Sequence, residues 1–196
     1  MTYHKYVFDE ENRKFIGDFE KMYVNEETGN YDSWHQDDPT SLTKRISSNI
    51  LNDLDFKRVL DLGCGKGTFT HMLKKENNYV LGVDVSATAI KRALSMYPNI
   101  KFISSDIKNF LLDNREHYDL VVIGEVLSYL KNWSKVLESI ARITNYIYLT
   151  LYIPDNPIGY VKSFEDLQNR IKEYFNEKVV LFDKLRSCIF LLGKIK

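Results

Sequence analysis

The sequence predicts an α/β fold built on a mostly parallel sheet and preceded by a helical segment. Three observations carry it. From Arg58 onward, short apolar runs alternate with segments of helical period, the pattern of βαβ units. The runs are near-continuously apolar, as expected of strands covered on both faces. The last two, Lys178–Asp183 and Ser187–Ile195, are separated by only a few polar residues. They form a hairpin, so one of them runs antiparallel.

The elements follow in order. Strand Arg58–Leu62 leads to helix Thr68–Glu76, and strand Tyr79–Val83 to helix Ala87–Met96. Strand Lys101–Ser104 leads to a short helix near Lys108–Leu112. Strand Tyr118–Ile123 leads to helix Trp133–Ile143. Strand Tyr146–Ile153 leads to helix Phe164–Phe175, with Leu167, Ile171, Tyr174 and Phe175 on one face. Residues 1–56 differ: they are polar, acidic and aromatic. Phe15, Phe19, Met22 and Tyr23 recur at helical spacing. Asn25 to Asp38 is turn-rich and includes Thr28-Gly29-Asn30. Pro39-Thr40 opens a helix with Leu42, Ile46, Ser47 and Ile50 on one face. The expected division is a helical cap over residues 1–56 and a ligand-binding domain over 57–196.

Lys plus Arg equals Asp plus Glu, 27 each. A partner made of long nucleic acid calls for a basic excess to meet its phosphates, so none is expected. Neither Cys64 nor Cys188 falls in a C-x-x-C pattern, and both read as reduced, buried thiols. His4, His71 and His117 are scattered without i,i+4 pairing, so no metal site is expected. The first residues carry no apolar signal core, and no apolar run approaches the roughly 20 residues that span a bilayer. The chain reads as cytoplasmic, without membrane association.

The chemistry concentrates in Val59-Leu60-Asp61-Leu62-Gly63-Cys64-Gly65-Lys66-Gly67. A buried strand runs into a tight turn with Gly at every second position. Such a turn lets a ligand sit against bare main chain at a helix N-terminus. The dinucleotide fingerprint G-x-G-x-x-G/A needs Gly or Ala at position 68, where this chain has Thr68. That offset favours S-adenosylmethionine over a nicotinamide cofactor. Four such signals fall at the carboxyl ends of four successive strands: the Gly63–Gly67 turn, Asp84, Ser105-Asp106 and Gly124-Glu125. Ligands of open α/β sheets bind outside those strand ends. Asp84 suits a ribose diol and disfavours a 2′-phosphate. Asp106, with Ile107 beside it, suits an exocyclic adenine amine. Asp61 and Glu125 add negative charge near a cationic sulfonium or amino group.

Residues 57–150 resemble class I S-adenosylmethionine-dependent methyltransferases. The glycine segment, Gly82-Val83-Asp84-Val85-Ser86, Ser105-Asp106 and Tyr118-Asp119-Leu120-Val121 match the family's ordered motifs. The resemblance implies a Rossmann-like, doubly wound, seven-stranded sheet with a C-terminal antiparallel hairpin and an N-terminal helical lid. It implies that Asp61, Gly63 and Gly65 lie along the methionine moiety, with Gly67 closing the turn. Asp84 would hold the ribose and Asp106, with Ile107 beside it, the adenine; Val85, Ser105 and Glu125 are further candidate cofactor contacts. Gly124-Glu125-Val126-Leu127-Ser128-Tyr129-Leu130 is similar to the small-molecule branch, in particular nodulation-type N-methyltransferases of sugars, and to methyltransferases encoded among surface-polysaccharide genes. Many relatives place His where Tyr129 stands.

Methyl transfer needs alignment and a dry site more than obligatory residue chemistry. The lid candidates are Tyr31, Trp34, His35, Tyr129 and Tyr152. His35 is the candidate base because imidazole titrates near neutrality. Tyr129 and Tyr152 are candidate orienting hydroxyls. Arg45, ahead of its neighbour Lys44, is the candidate partner of the cofactor carboxylate. The expected acceptor is a small metabolite methylated at O or N, such as a sugar or a phosphorylated or nucleotide-linked polysaccharide precursor. The alternatives are an NAD-binding oxidoreductase, a non-catalytic binding protein of the same fold, and a methyltransferase of RNA or protein.

Overall fold

The computed structural model describes residues 4–29 and 31–196. Asn30, within the expected turn, lies outside them. The chain opens with a small hairpin, β1 (Phe8–Asp9) paired to β2 (Lys14–Phe15). Helices α1 (Phe19–Gly29) and α2 (Leu42–Leu51) follow, with a single 3₁₀ turn at Ser33–His35 between them. Then come β3 (Arg58–Leu62), α3 (Thr68–Met72), β4 (Tyr79–Asp84), α4 (Ala87–Met96), β5 (Lys101–Ser104), α5 (Ile107–Asp113) and β6 (Tyr118–Gly124). The remainder is α6 (Trp133–Ala141), β7 (Thr144–Tyr152), α7 (Phe164–Tyr174), β8 (Phe175–Asp183) and β9 (Cys188–Ile195).

Seven strands form one sheet in the order β5-β4-β3-β6-β7-β9-β8. The first five are mutually parallel. Strand β9 enters antiparallel between β7 and β8. The order reverses between β3 and β6, which places the switch point at the glycine turn. Both faces are covered, as the apolar runs require. Along β6, Leu120 and Val122 join the core cluster that contains Leu51, Ile90 and Ala93. Val121 and Ile123 join the opposite cluster with Leu137, Ile140, Leu167 and Ile171. This is the period-two alternation of a strand with two dry faces.

Helix starts are chemically marked. Ser86 accepts the Ala89 N–H at 3.1 Å to cap α4, and Ser163 accepts the Asp166 N–H at 3.0 Å to cap α7. Helix α3 is shorter than its pattern suggests. It stops because Asn78 reaches back, donating to the Leu73 carbonyl at 2.9 Å and accepting the Lys75 N–H at 2.8 Å. Strand β8 begins at Phe175, three residues before the apolar run.

The N-terminal region departs most from expectation. Phe15 belongs to a strand, not to the first helix, because Ile16 and Gly17 both donate to the Val7 carbonyl and bend the chain back. Asn25 to Gly29 continues α1 instead of turning. The hairpin and α1 bury Val7, Phe8, Met22 and Tyr23 against Ala89 of α4 and Ile158. This small third core places the cap directly over the carboxyl ends of the parallel strands.

Candidate active site

Beneath the cap lies a cleft of about 580 Å³. Its floor is the carboxyl edge of β3, β4, β6 and β7, and its roof is the hairpin, α1, the 3₁₀ turn and α2. Gly63 (φ 78°) and Gly65 (φ 53°) take left-handed backbone. A Cβ on Gly65 would collide with Gln36 Oε1 and the Tyr23 hydroxyl. The cap therefore rests on this turn, where only glycine allows the approach.

Asp84 ends β4 with its carboxylate buried. Its Oδ2 accepts the Gly65 N–H and its Oδ1 the Ser86 N–H, each at 2.9 Å. Burial pushes the carboxyl above its ordinary range, while those two donors pull it back. Asp61 is buried as well. Burial raises its pKa to about 7, and the Asp84 charge adds to the rise. The Thr70 hydroxyl, 2.6 Å away, opposes it. Both acids line the cleft. Two buried acids beside bare glycine backbone form an acceptor set of the kind that ribose hydroxyls and a cationic sulfonium would meet.

The other expected residues divide. Val85, Asp106 and Ile107 line the cleft. Asp106 uses Oδ1 to cap α5, accepting from Lys108 and Asn109. Ser105 and Gly67 are not among the lining residues; Ser105 is tied by its N–H to the Asp84 carbonyl, and Gly67 starts α3. Arg45 needs a correction. It is exposed on α2 and outside the lining, whereas Lys44 faces the cleft. The helix phase explains this. Ser47 and Leu51 are buried, so the inward face runs through Thr43, Lys44 and Ser47. The Lys44 ammonium donates to the carbonyls of His35 (3.2 Å) and Asp38 (2.9 Å).

Glu125 follows β6 in left-handed backbone, φ 60°, which is costly for a non-glycine residue and concentrates at functional sites. Its Oε2 accepts the Tyr152 N–H at 2.7 Å, and the Cys188 thiol approaches Oε1 at 3.6 Å. Burial raises its pKa. Trp34 and His35 are also left-handed, φ 57° and 53°. His35 is exposed at the cleft mouth, and Tyr129 and Tyr152 line the interior. Burial, then the Glu125 charge, holds the Tyr129 hydroxyl above its ordinary pKa. Tyr31 is 41% exposed, stacks on His4 and stands outside the lining.

One functional group has no counterpart in the expectations. Lys66, inside the glycine turn, is 2% exposed, and its ammonium meets three cap carboxylates. Asp32 and Asp37 lie at 2.7 Å and Glu26 at 3.1 Å. Arg92 of α4 also reaches Glu26, at 2.9 Å. Glu20 ties the start of α1 to Ser86 and Thr88, each hydroxyl donating at 2.6 Å. A lysine at an x position of the glycine turn, together with the acid-rich segment upstream, is the signal the sequence offers.

Sheet order, glycine turn and the acid closing β4 define the class: a class I S-adenosylmethionine-dependent methyltransferase fold with an N-terminal cap. Residues 54–184 match the family described as a methyltransferase domain. The chain belongs to that family. Among curated relatives, a putative methyltransferase of Invertebrate iridescent virus 6 is 35% identical over 91 residues, covering 44% of this chain and 34% of that protein. Nodulation protein S of Bradyrhizobium diazoefficiens is 26% identical over 172 residues, covering 80% and 79%. The ubiquinone biosynthesis O-methyltransferase of Vibrio vulnificus is 28% identical, covering 74% and 58%. The chain thus spans about a third of the viral relative and just over half of the ubiquinone enzyme. The crystal structure of the N-methyltransferase NodS from Bradyrhizobium japonicum WM9, in complex with S-adenosyl-L-homocysteine, superposes with TM-score 0.72 at 21% identity, over 90% of this chain and 97% of that one. Among the described residues, no helix is long and apolar enough to cross a membrane.

Proposed function

We propose that the chain transfers a methyl group from S-adenosylmethionine to an oxygen or nitrogen of a small metabolite. The leading acceptor class is a sugar unit of a surface-polysaccharide precursor. The observation that carries the reading is the pair of buried carboxylates, Asp61 and Asp84, beside the glycine turn. When bound, the cofactor supplies a methyl group made electrophilic by a cationic sulfur. In this reading Asp61, Gly63 and Gly65 face its amino-acid part, Asp84 and Val85 its ribose, and Asp106 and Ile107 its adenine. Lys44 is placed to meet its carboxylate, the role expected of Arg45.

The remaining residues handle the acceptor. The cap excludes water, which strengthens every charge interaction inside. Tyr129 and Tyr152 orient the acceptor, and His35 at the mouth takes the proton that the attacking atom loses. The resemblance of Gly124-Glu125-Val126-Leu127-Ser128-Tyr129-Leu130 to nodulation-type N-methyltransferases of sugars supports the sugar class.

The test is thermal unfolding with S-adenosylhomocysteine and, separately, with NAD. Ligand at 100 times its Kd adds about 2.7 kcal/mol, which moves the midpoint by about 2–4 °C per kcal/mol for a chain this size. A shift with the sulfur nucleoside alone supports the reading; a shift with NAD alone overturns it.

A further inference from the structure

The two halves of the cleft differ in character. Under β3, β4 and β5 it is lined by Asp61, Asp84 and Asp106. Under β6 and β7 it is walled by rings. Tyr129 stacks on Phe15 with centroids 5.9 Å apart and planes 10° apart, and on Trp34 at 6.3 Å and 22°. Phe19 meets the edge of Tyr129 at 5.1 Å, and Phe8 lies 5.8 Å away. All five rings line the cleft. Rings arranged this way pack with one another and give this half of the cleft an aromatic, apolar lining, the kind of wall that a ring-shaped partner meets by stacking or edge contact.

Charge sharpens the choice. Four carboxylates line the cleft: Asp61, Asp84, Asp106 and Glu125. Among the described lining residues there is one lysine, Lys44, and no arginine. In the cofactor reading above that ammonium meets the cofactor carboxylate, and its other N–H groups donate to the carbonyls of His35 and Asp38. A phosphate or carboxylate entering the aromatic half would give up its water, meet Glu125 and find no uncommitted cation. Burying an unpaired anion is strongly unfavourable. Glu125 is fixed by the Tyr152 N–H, so it does not swing away to admit one.

We propose that the acceptor enters the β6–β7 half as a flat ring bearing no phosphate or carboxylate, seated on Trp34 and Tyr129 with its hydroxyl or amine toward Glu125. An aromatic ring and the apolar face of a sugar share this chemistry. A phosphate elsewhere on a larger precursor stays outside the cleft. The proposal rests on the cofactor reading above only for the half of the cleft that is left free.

The test uses the chain saturated with S-adenosylhomocysteine, in a Trp133→Phe background so that Trp34 is the sole indole. Its emission is titrated with catechol and N-acetylglucosamine and with their phosphorylated counterparts, catechol monophosphate and N-acetylglucosamine 6-phosphate. Calorimetry on the unsubstituted chain gives the same ranking independently. The expected result is saturable binding of one neutral ring, with its phosphorylated counterpart at least tenfold weaker. Tyr129→Leu weakens the neutral ring at least tenfold, and Glu125→Gln narrows the gap within the pair. The responding pair tells an aromatic acceptor from a sugar. Equal or tighter binding of a phosphorylated ring overturns the proposal, as does indifference to Tyr129→Leu or silence of both neutral rings. Thermal stabilisation by S-adenosylhomocysteine in the same preparation separates the two readings. If it is present and the rings fail, the ring proposal alone is wrong; if it is absent, the cofactor reading fails.

Discussion

The Lys66 ammonium lies 3.1 Å from the Glu26 carboxylate, 40 residues away in sequence, and both side chains are almost wholly out of solvent. Asp32 and Asp37 complete its shell, so one lysine fastens the cap to the glycine turn. Lys66→Met strands these carboxylates. Removing one partner of a buried ion pair costs about 3–5 kcal/mol, which a denaturant midpoint will register. S-adenosylhomocysteine should also leave the variant faster. Asp37→Asn, at a half-exposed partner, should cost less than about 1 kcal/mol. Equal losses for the two would deny Lys66 this role.

Asp84→Ala removes the acceptor of the Gly65 and Ser86 N–H groups. Hydrogen bonds to a charged group contribute about 1.5–3 kcal/mol, so cofactor affinity should fall roughly 10- to 100-fold. Calorimetric titration of S-adenosylhomocysteine measures it, and unchanged affinity would remove Asp84 from the ribose role.

Asp61 titrates near 7 in the folded chain against an ordinary 3.8. Between those values the folded state holds a proton that the unfolded state has released. Stability of the unliganded chain therefore falls as pH rises from about 4 to 7, and Asp61 adds no slope above that. A cationic ligand beside Asp61 favours its ionised form, so affinity for S-adenosylmethionine should rise with pH toward 7 and then level. Neutral S-adenosylhomocysteine should show the weaker slope. Asp61→Asn should flatten both curves, and a persisting slope would assign it elsewhere.

His35 offers a separable pair of effects, because its backbone is left-handed and its ring stands at the cleft mouth. His35→Gly relieves backbone strain and should stabilise by about 1 kcal/mol; His35→Ala should not. Both should lower turnover more than cofactor affinity if the imidazole accepts the proton. Normal turnover in both retires it as the base.

Legibility followed distance along the chain. The glycine turn and the acid that closes β4 are local patterns, legible from spacing within a few positions, although the Gly65 N–H that Asp84 accepts lies 19 residues away. The β1–β2 pairing was not legible, since two-residue strands carry no periodicity and Phe8 meets Phe15 only through a bend. Lys44 and Arg45 are adjacent cations that residue type alone does not separate; the burial of Ser47 and Leu51 turns Lys44 toward the cleft. The Lys66 shell was hidden for a different reason. Its partners sit 29 to 40 residues upstream in a segment that reads as a solvated acidic turn.

The cap's anchors have an order in time. Glu20, Glu26, Asp32 and Asp37 leave the ribosome before Lys66, Ser86, Thr88 and Arg92, the groups that satisfy them. Glu20, Glu26, Asp32 and Asp37 find these partners only once β3, β4 and α4 exist to supply them. A nascent chain arrested before Arg92 has its acids and no complete landing surface. Roofing of the cleft is thus a late event of biosynthesis, although its residues are made first.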